Sequence, residues 1–352
     1  MPEACTFSFL VPELCAQDFV YKGTWIRRKF GGFQQRSIFR LEHHMSIGRQ
    51  LVKDSSFQAF RLFDRIGIHV LPKHFYTPVQ DHHWLRGNLE LWARPVDLTG
   101  LDWNLDQQVA WLRPLCGTYY KEVQGLGFFR AATENGSGPG YGALESQVLH
   151  CFLRSQRPRR VIEVGSGVST ACMLHATELN AKDEFSETTI TCIEPYPSRY
   201  LLSTDKIVLV RKQIQEMSAA FFDQLDSGDL LFIDSSHAVK PGSDVLTICL
   251  EVIPRLKPGV TIHVHDINLP FAYPRNVLEN YFGWQETAML LALLKGNVHL
   301  KVLSCLSALH YDRREELAQI LGDYQRQEDG GPGLVSAGSP GFFPSSIWLQ
   351  TL

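Results

Sequence analysis

From residue 160 onward the chain alternates short apolar runs with amphipathic stretches, and that alternation constrains the fold more than any other feature. The runs are RVIEVG (160–165), TITCIE (189–194), KIVLV (206–210), DLLFID (229–234), VTIHVHD (260–266), HLKVLSCL (299–306) and SSIWLQ (345–350). Between two of them, SDVLTICLEVIPRLK (243–257) sets Val245, Ile248, Cys249, Val252, Ile253 and Leu256 at helical spacing. Strands that are apolar along their whole length leave no face for water, so they belong to a sheet covered by helices on both sides. The predicted class is α/β: a doubly wound, seven-stranded, mostly parallel sheet, with ligands bound beyond the carboxyl ends of its strands.

The first 131 residues lack this pattern. KGTWIRRKFGGFQQRSIFRLEHHM and SSFQAFRLFDRIGIHV are partly helical in character, and PVDLTGLDWN is a loop. The glycine-rich ATENGSGPGYGALES (132–146) then acts as a hinge and starts a helix, which divides the chain into an accessory or lid region, 1–131, and a ligand-binding domain, 132–352. The stretch QRQEDGGPGLVSAGSPGFFP before the last strand is expected to be a mobile surface loop.

Composition excludes several classes. With 44% apolar and 20% charged residues the chain is globular. Its strongest apolar run, AMLLALL (288–294), is too short for a membrane span, and no basic region precedes an apolar segment at the N-terminus, so neither anchor nor signal peptide is expected. The eight cysteines show no metal-ligand or CxxC spacing and fit a reducing, cytoplasmic setting. The net charge is −3, but residues 1–80 carry 11 Lys/Arg against 6 Asp/Glu. That basic segment has no interleaved nucleic-acid motif, so nucleic acid is disfavoured as a partner, and a homo-oligomer stays open.

VIEVGSGVST (161–170) is a strand, a tight turn and a helix start. Gly165 and Gly167 let the backbone approach a ligand, and the helix amides behind them face it. Glu194, ending the next strand, is placed to accept hydrogen bonds from ribose hydroxyls. These features fit a dinucleotide or S-adenosylmethionine. Thr170, where a dinucleotide fingerprint needs Gly or Ala, and Glu163, two residues before the first glycine, favour the latter.

The fourth and fifth strands of such a sheet are neighbours, which brings Asp234 and Asp266 side by side. Two unit charges about 4 Å apart at an effective dielectric near 20 repel by about 4 kcal/mol, so the pair calls for a proton or a bound cation. With His265 beside Asp266, an oxygen and nitrogen set of Asp234, His265 and Asp266 suits Mg²⁺, Mn²⁺ or Fe²⁺. His237 is then the general base for a bound hydroxyl. His263, one pleat deeper on the strand, is expected to be a core histidine.

Carrying these motifs in this order, residues 140–352 resemble the class I S-adenosylmethionine-dependent methyltransferases. The resemblance implies a Rossmann-like fold, with Glu163, Gly165 and Gly167 around the methionine part of the cofactor, Glu194 at the ribose and Gln215 at the adenine edge. Asp234, His237 and Asp266 are similar, residue for residue, to the metal-dependent O-methyltransferases of macrolide sugars, which carry an acid where this chain has His265. The likeness to catechol-type enzymes is poorer, because Asn268 comes one residue late. The expected activity is O-methylation of a small-molecule or glycoside hydroxyl with a divalent cation. Metal-free N- or C-methylation through His237 or Asp234, an NAD-linked oxidoreductase and a non-catalytic binding subunit are the alternatives. Phe271, Tyr273, Tyr281, Phe282 and Trp284 are expected beside the acceptor.

Overall fold

The computed structural model describes residues 58–71, 76–137, 140–185, 187–280, 282–337 and 343–352. The chain divides into two compact units, 1–77 and 78–352. In the first, residues 58–65 are helical and Leu62, Phe63 and Ile66 are exposed. The basic run from Lys22 to Lys29 lies outside the described residues, as do Cys5 and Cys15.

The second unit is built on the expected sheet. Its strands are β1 (Arg160–Val164), β2 (Thr189–Ile193), β3 (Val208–Val210), β4 (Leu230–Ile233), β5 (Thr261–His265), β6 (Leu300–Cys305) and β7 (Ser346–Thr351). They lie in the order β3-β2-β1-β4-β5-β7-β6. All neighbours are parallel except β7, which runs antiparallel to both β5 and β6. This is the Rossmann-like methyltransferase fold that the sequence resemblance implies.

Strand residues alternate between two apolar layers, the period of two that pleating imposes. Val161, Ile190, Cys192, Leu230 and Phe232 pack on one face against α1 (Leu105–Tyr119), α2 (Ala143–Gln156) and α3 (Val168–Lys182). Ile162, Val164, Ile193, Leu231, Ile233, Ile262 and Val264 pack on the other. There they meet the helical stretch from Asp244 to Arg255 and helix α4 (Glu286–Leu294). The Asp244–Arg255 stretch passes from α through one π turn to 3₁₀ at Ile253–Arg255, where Pro254 ends regular helix.

The compact unit that holds the sheet starts at Pro78, well before the hinge at 132, and Leu112 and Leu115 of α1 are part of its core. The segment 325–344 departs from expectation. Among its described residues Gln327 and Leu334 are buried, Asp329 bridges to Val335, and Arg275 pairs with Asp329. A composition dominated by Gly, Pro and Ser hides one part-buried ion pair and one buried leucine, which together dock this loop. The six described cysteines are free and buried, and among the described residues no helix is long and apolar enough to cross a membrane.

Candidate active site

The chain leaves β1 for β2 and β3 on one side and returns to β4 and β5 on the other, so the carboxyl ends of β1 and β4 flank the switch point where such sheets bind ligands. At the tip of β1, Gly165 has φ +77°, and a Cβ there would lie 1.8 Å from the carbonyl oxygen of Asp234. No other residue fits, because the close approach of the chain after β4 leaves no room for a side chain and the left-handed backbone adds strain.

Beneath the turn, Glu163 is fully buried and lines neither neighbouring cavity. Its carboxylate accepts hydrogen bonds from the Ser169 and Thr170 hydroxyls, both at 2.6 Å, and from the Cys192 thiol at 3.2 Å. Thr170 Oγ1 in turn accepts from Gly167 N at 3.1 Å. Burial dominates and lifts Glu163 to about 7 despite these bonds. The acid in this motif therefore ties strand, turn and helix together from below, and Thr170 is the residue that completes the tie.

Glu194 faces the cleft. It accepts from the backbone N–H of Ser166 at 3.2 Å and of Tyr196 at 2.7 Å, which aims its carboxylate along the edge of the turn. Gln215 lies on the same cavity, exposed, with its amide donating to Gln213 and to the Gly242 carbonyl. This cavity, about 510 Å³, also carries Gly165 and Asp234.

Across the switch point the chemistry changes. Asp234 Oδ1, His237 Nε2 and Asp266 Oδ2 converge, with His237 Nε2 at 3.5 Å from Asp234 and 3.3 Å from Asp266. One donor atom from each of the three lies within 4.8 Å of the others, the spread of a divalent-cation site. His237 and Asp266 both hold left-handed backbones, φ 59° and 55°, and such strain in a non-glycine residue persists only where the surroundings over-determine it. His265 is not in this set. Its Nδ1 lies 3.3 Å from Asp234 Oδ1 and 3.7 Å from Asp266 Oδ2, and its Nε2 lies 3.9 Å from Glu145 Oε1, against the ring of Tyr141. Both imidazoles therefore reach the two carboxylates, His265 from the end of β5 and His237 from the loop after β4. His263 is fully buried, stacked on Phe232.

Sequence reasoning misses Glu286. It begins α4, is buried, and its Oε2 lies 2.7 Å from His237 Nδ1. The backbone N–H groups of Gln285 and Glu286 also donate to the His237 carbonyl, latching the loop after β4 to this helix start. Only the position of an acid at a helix N-terminus hints at it, and such acids are ordinary. Burial alone would lower both imidazoles, but neighbouring carboxylates prevail: Glu286, Asp266 and Asp234 raise His237 to about 9, and Asp266, Asp234 and Glu145 raise His265 to about 10.

Three cavities join at this cluster. The one at Glu194 shares Gly165 and Asp234 with a second of about 420 Å³ lined by Gly167, His237 and Asp266. The second shares Asp266 and Trp284 with a third of about 360 Å³. Of the expected aromatics only Trp284 lines these cavities. Phe271 and Tyr273 are buried in a separate cluster with Leu334, Phe282 is exposed, and Tyr281 lies outside the described residues.

Comparison with known proteins places a boundary around these residues. Residues 162–267 match the family model described as Methyltransferase domain. An uncharacterized protein of Archaeoglobus fulgidus is 28% identical over 167 residues, covering 44% of this chain and 73% of that protein. Among solved structures, the SAH-bound Podospora anserina methyltransferase PaMTH1 is 15% identical, with 67% of this chain and 93% of that chain covered and a TM-score of 0.33. The O-methyltransferase TomG from Streptomyces achromogenes, involved in tomaymycin synthesis and solved with SAM, is 16% identical, with 57% and 90% covered and a TM-score of 0.36. The matched span opens within β1 and ends one residue past Asp266, so the likeness to methyltransferase domains takes in the glycine turn, Glu194 and the carboxylate cluster.

Proposed function

We propose that this protein is an S-adenosylmethionine-dependent O-methyltransferase acting on a small-molecule or glycoside hydroxyl, assisted by a divalent cation. The observation that carries this reading is the convergence of Asp234, His237 and Asp266 at the junction of the joined cavities. Glycine turn and Glu194 would seat the cofactor, with Gln215 at its far end. Asp234 and Asp266 offer carboxylate oxygens to a hard cation, with no Lys or Arg among the described residues paired to either, and His237 Nε2 beside them keeps its lone pair for a proton. When bound, the cofactor supplies an electrophilic methyl group and the cation lowers the pKa of the acceptor hydroxyl. His237 takes the hydroxyl proton at Nε2, and Glu286 holds the other ring nitrogen and so fixes the orientation of the base.

A metal-free reading has its own support: two protonated imidazoles, His237 and His265, would neutralise the carboxylates without a cation. Calorimetric titration separates the cases. S-adenosylhomocysteine should bind the full chain, and Glu194→Ala should weaken it by about tenfold or more. Unchanged affinity in that variant would remove the ribose assignment, and no binding to either protein would sink the cofactor reading. Mn²⁺ should bind the native protein and fail to bind the Asp234→Asn, Asp266→Asn double variant. If the native protein takes up no Mn²⁺, the metal-free reading stands in its place.

A further inference from the structure

The third cavity contains a polar group that no described residue satisfies. Gln327 is 2% exposed, lines this cavity, and its Nε2 has no hydrogen-bond partner among the described residues. Its orientation is fixed by chemistry: Arg275 Nη1, which can only donate, lies 3.2 Å from Gln327 Oε1. The amide therefore keeps its acceptor end on the arginine and its donor end free. A buried donor left unpaired is costly and rare, and in a cavity wall it marks a place where a ligand acceptor belongs.

The surroundings narrow the ligand. The charge of Arg275 is answered by Asp329 at Nη2, and its guanidinium carbon lies 4.2 Å from the centre of the Phe343 ring, while its buried Nε has no partner among the described residues. Tyr311 also approaches that guanidinium. Asp266 stands in the same cavity wall and disfavours an anion. Trp284 and Phe343 are the aromatic members of the lining, which suits a flat molecule, and the volume of about 360 Å³ holds one small ring system.

We infer that this cavity is the methyl-acceptor pocket and that it takes a neutral, flat hydroxy-carbonyl compound. Its hydroxyl sits at Asp266 and its carbonyl oxygen accepts a hydrogen bond from Gln327 Nε2. The inference rests on the O-methyltransferase reading, since it takes Asp266 to mark the reacting end.

The test uses the full chain saturated with S-adenosylhomocysteine and Mg²⁺, titrated by ligand-observed NMR with para-hydroxybenzamide, para-hydroxybenzoate and para-cresol. These share one hydroxyl and differ in the group opposite it. The amide should bind about tenfold tighter than the cresol, the worth of one good hydrogen bond to an orphaned donor, and tighter than the anionic benzoate. In Gln327→Leu the ratio of amide to cresol should fall to about one while the affinity for S-adenosylhomocysteine is unchanged. Because the three probes are first compared on the native protein, a variant that fails to fold does not remove the test. Equal binding of all three, tighter binding of the benzoate, or no binding of any while S-adenosylhomocysteine binds would overturn the pocket assignment. Failure of S-adenosylhomocysteine to bind would instead bring down the cofactor reading, and this inference with it.

Discussion

The two banks of the switch point are built on opposite plans. On the β1 side most polar groups of the turn are answered from within the chain: Glu163 by Ser169, Thr170 and Cys192, Gly167 N by Thr170, and Glu194 by two backbone amides, with the Ser166 hydroxyl left over. On the β4–β5 side like charges are gathered and left facing one another, with imidazoles between Asp234, Asp266, Glu145 and Glu286. A self-satisfied turn makes a rigid seat of the kind a bound group needs for its position. An unbalanced cluster stays sensitive to protons and cations, which is what proton transfer from a substrate requires.

Removing the group that the unbalanced bank aims at the junction should have the largest effect. His237→Ala is expected to lower methyl transfer to para-hydroxybenzamide by about 100-fold or more at saturating cofactor, the usual worth of a positioned base. Transfer within a factor of about three of native, by product mass spectrometry, would remove His237 from the chemistry. Gly165→Ala strikes the other bank. With a left-handed backbone and a Cβ 1.8 Å from the Asp234 carbonyl oxygen, it should cost at least about 2 kcal/mol of stability by denaturant unfolding. A loss under about 0.5 kcal/mol would mean that the turn yields easily and is not a rigid seat.

Glu286→Gln tests the support behind His237. Loosening the carboxylate that orients the base should lower methyl transfer to para-hydroxybenzamide by about tenfold at saturating cofactor while the melting temperature holds. A lower melting temperature with unchanged transfer would make Glu286 merely structural. The smallest effect concerns pH on the rigid bank. Glu163 is raised to about 7 from its usual 4.5, so its stabilising contribution is complete below about 4.5 and is lost as pH rises through about 7. Between about pH 6 and 8 the native protein should lose about 1 kcal/mol relative to Glu163→Gln, read from paired denaturant curves. Parallel pH profiles would show that Glu163 is ionised without cost.

Much of the rigid bank is legible in the sequence. Gly165 and Glu194 announce a strand, a turn and a second strand end, and the strands themselves show because a sheet covered on both faces needs unbroken apolar runs. The pairing of Asp234 with Asp266 also follows from the adjacency of β4 and β5. The unbalanced bank is only half legible. Sequence adjacency to Asp266 puts His265 among the expected ligands, and its Nδ1 does lie 3.3 Å from Asp234 and 3.7 Å from Asp266, but nothing in the local pattern shows that Tyr141 and Glu145 close over its far side. His237 reaches the front because its left-handed backbone turns the loop after β4 back on itself.

Local pattern was thus enough to determine the class of sheet, its seven strands and the residue types at the two strand ends, because periodicity and turn chemistry act over a few neighbouring residues. What the tertiary structure alone decided is which distant side chains meet. Glu286 finds His237 from 49 residues away, and Gln327 is held by Arg275 from 52 residues away in a loop whose composition promises only mobility. Such meetings depend on how helices and loops close over the sheet, and no short-range pattern encodes them.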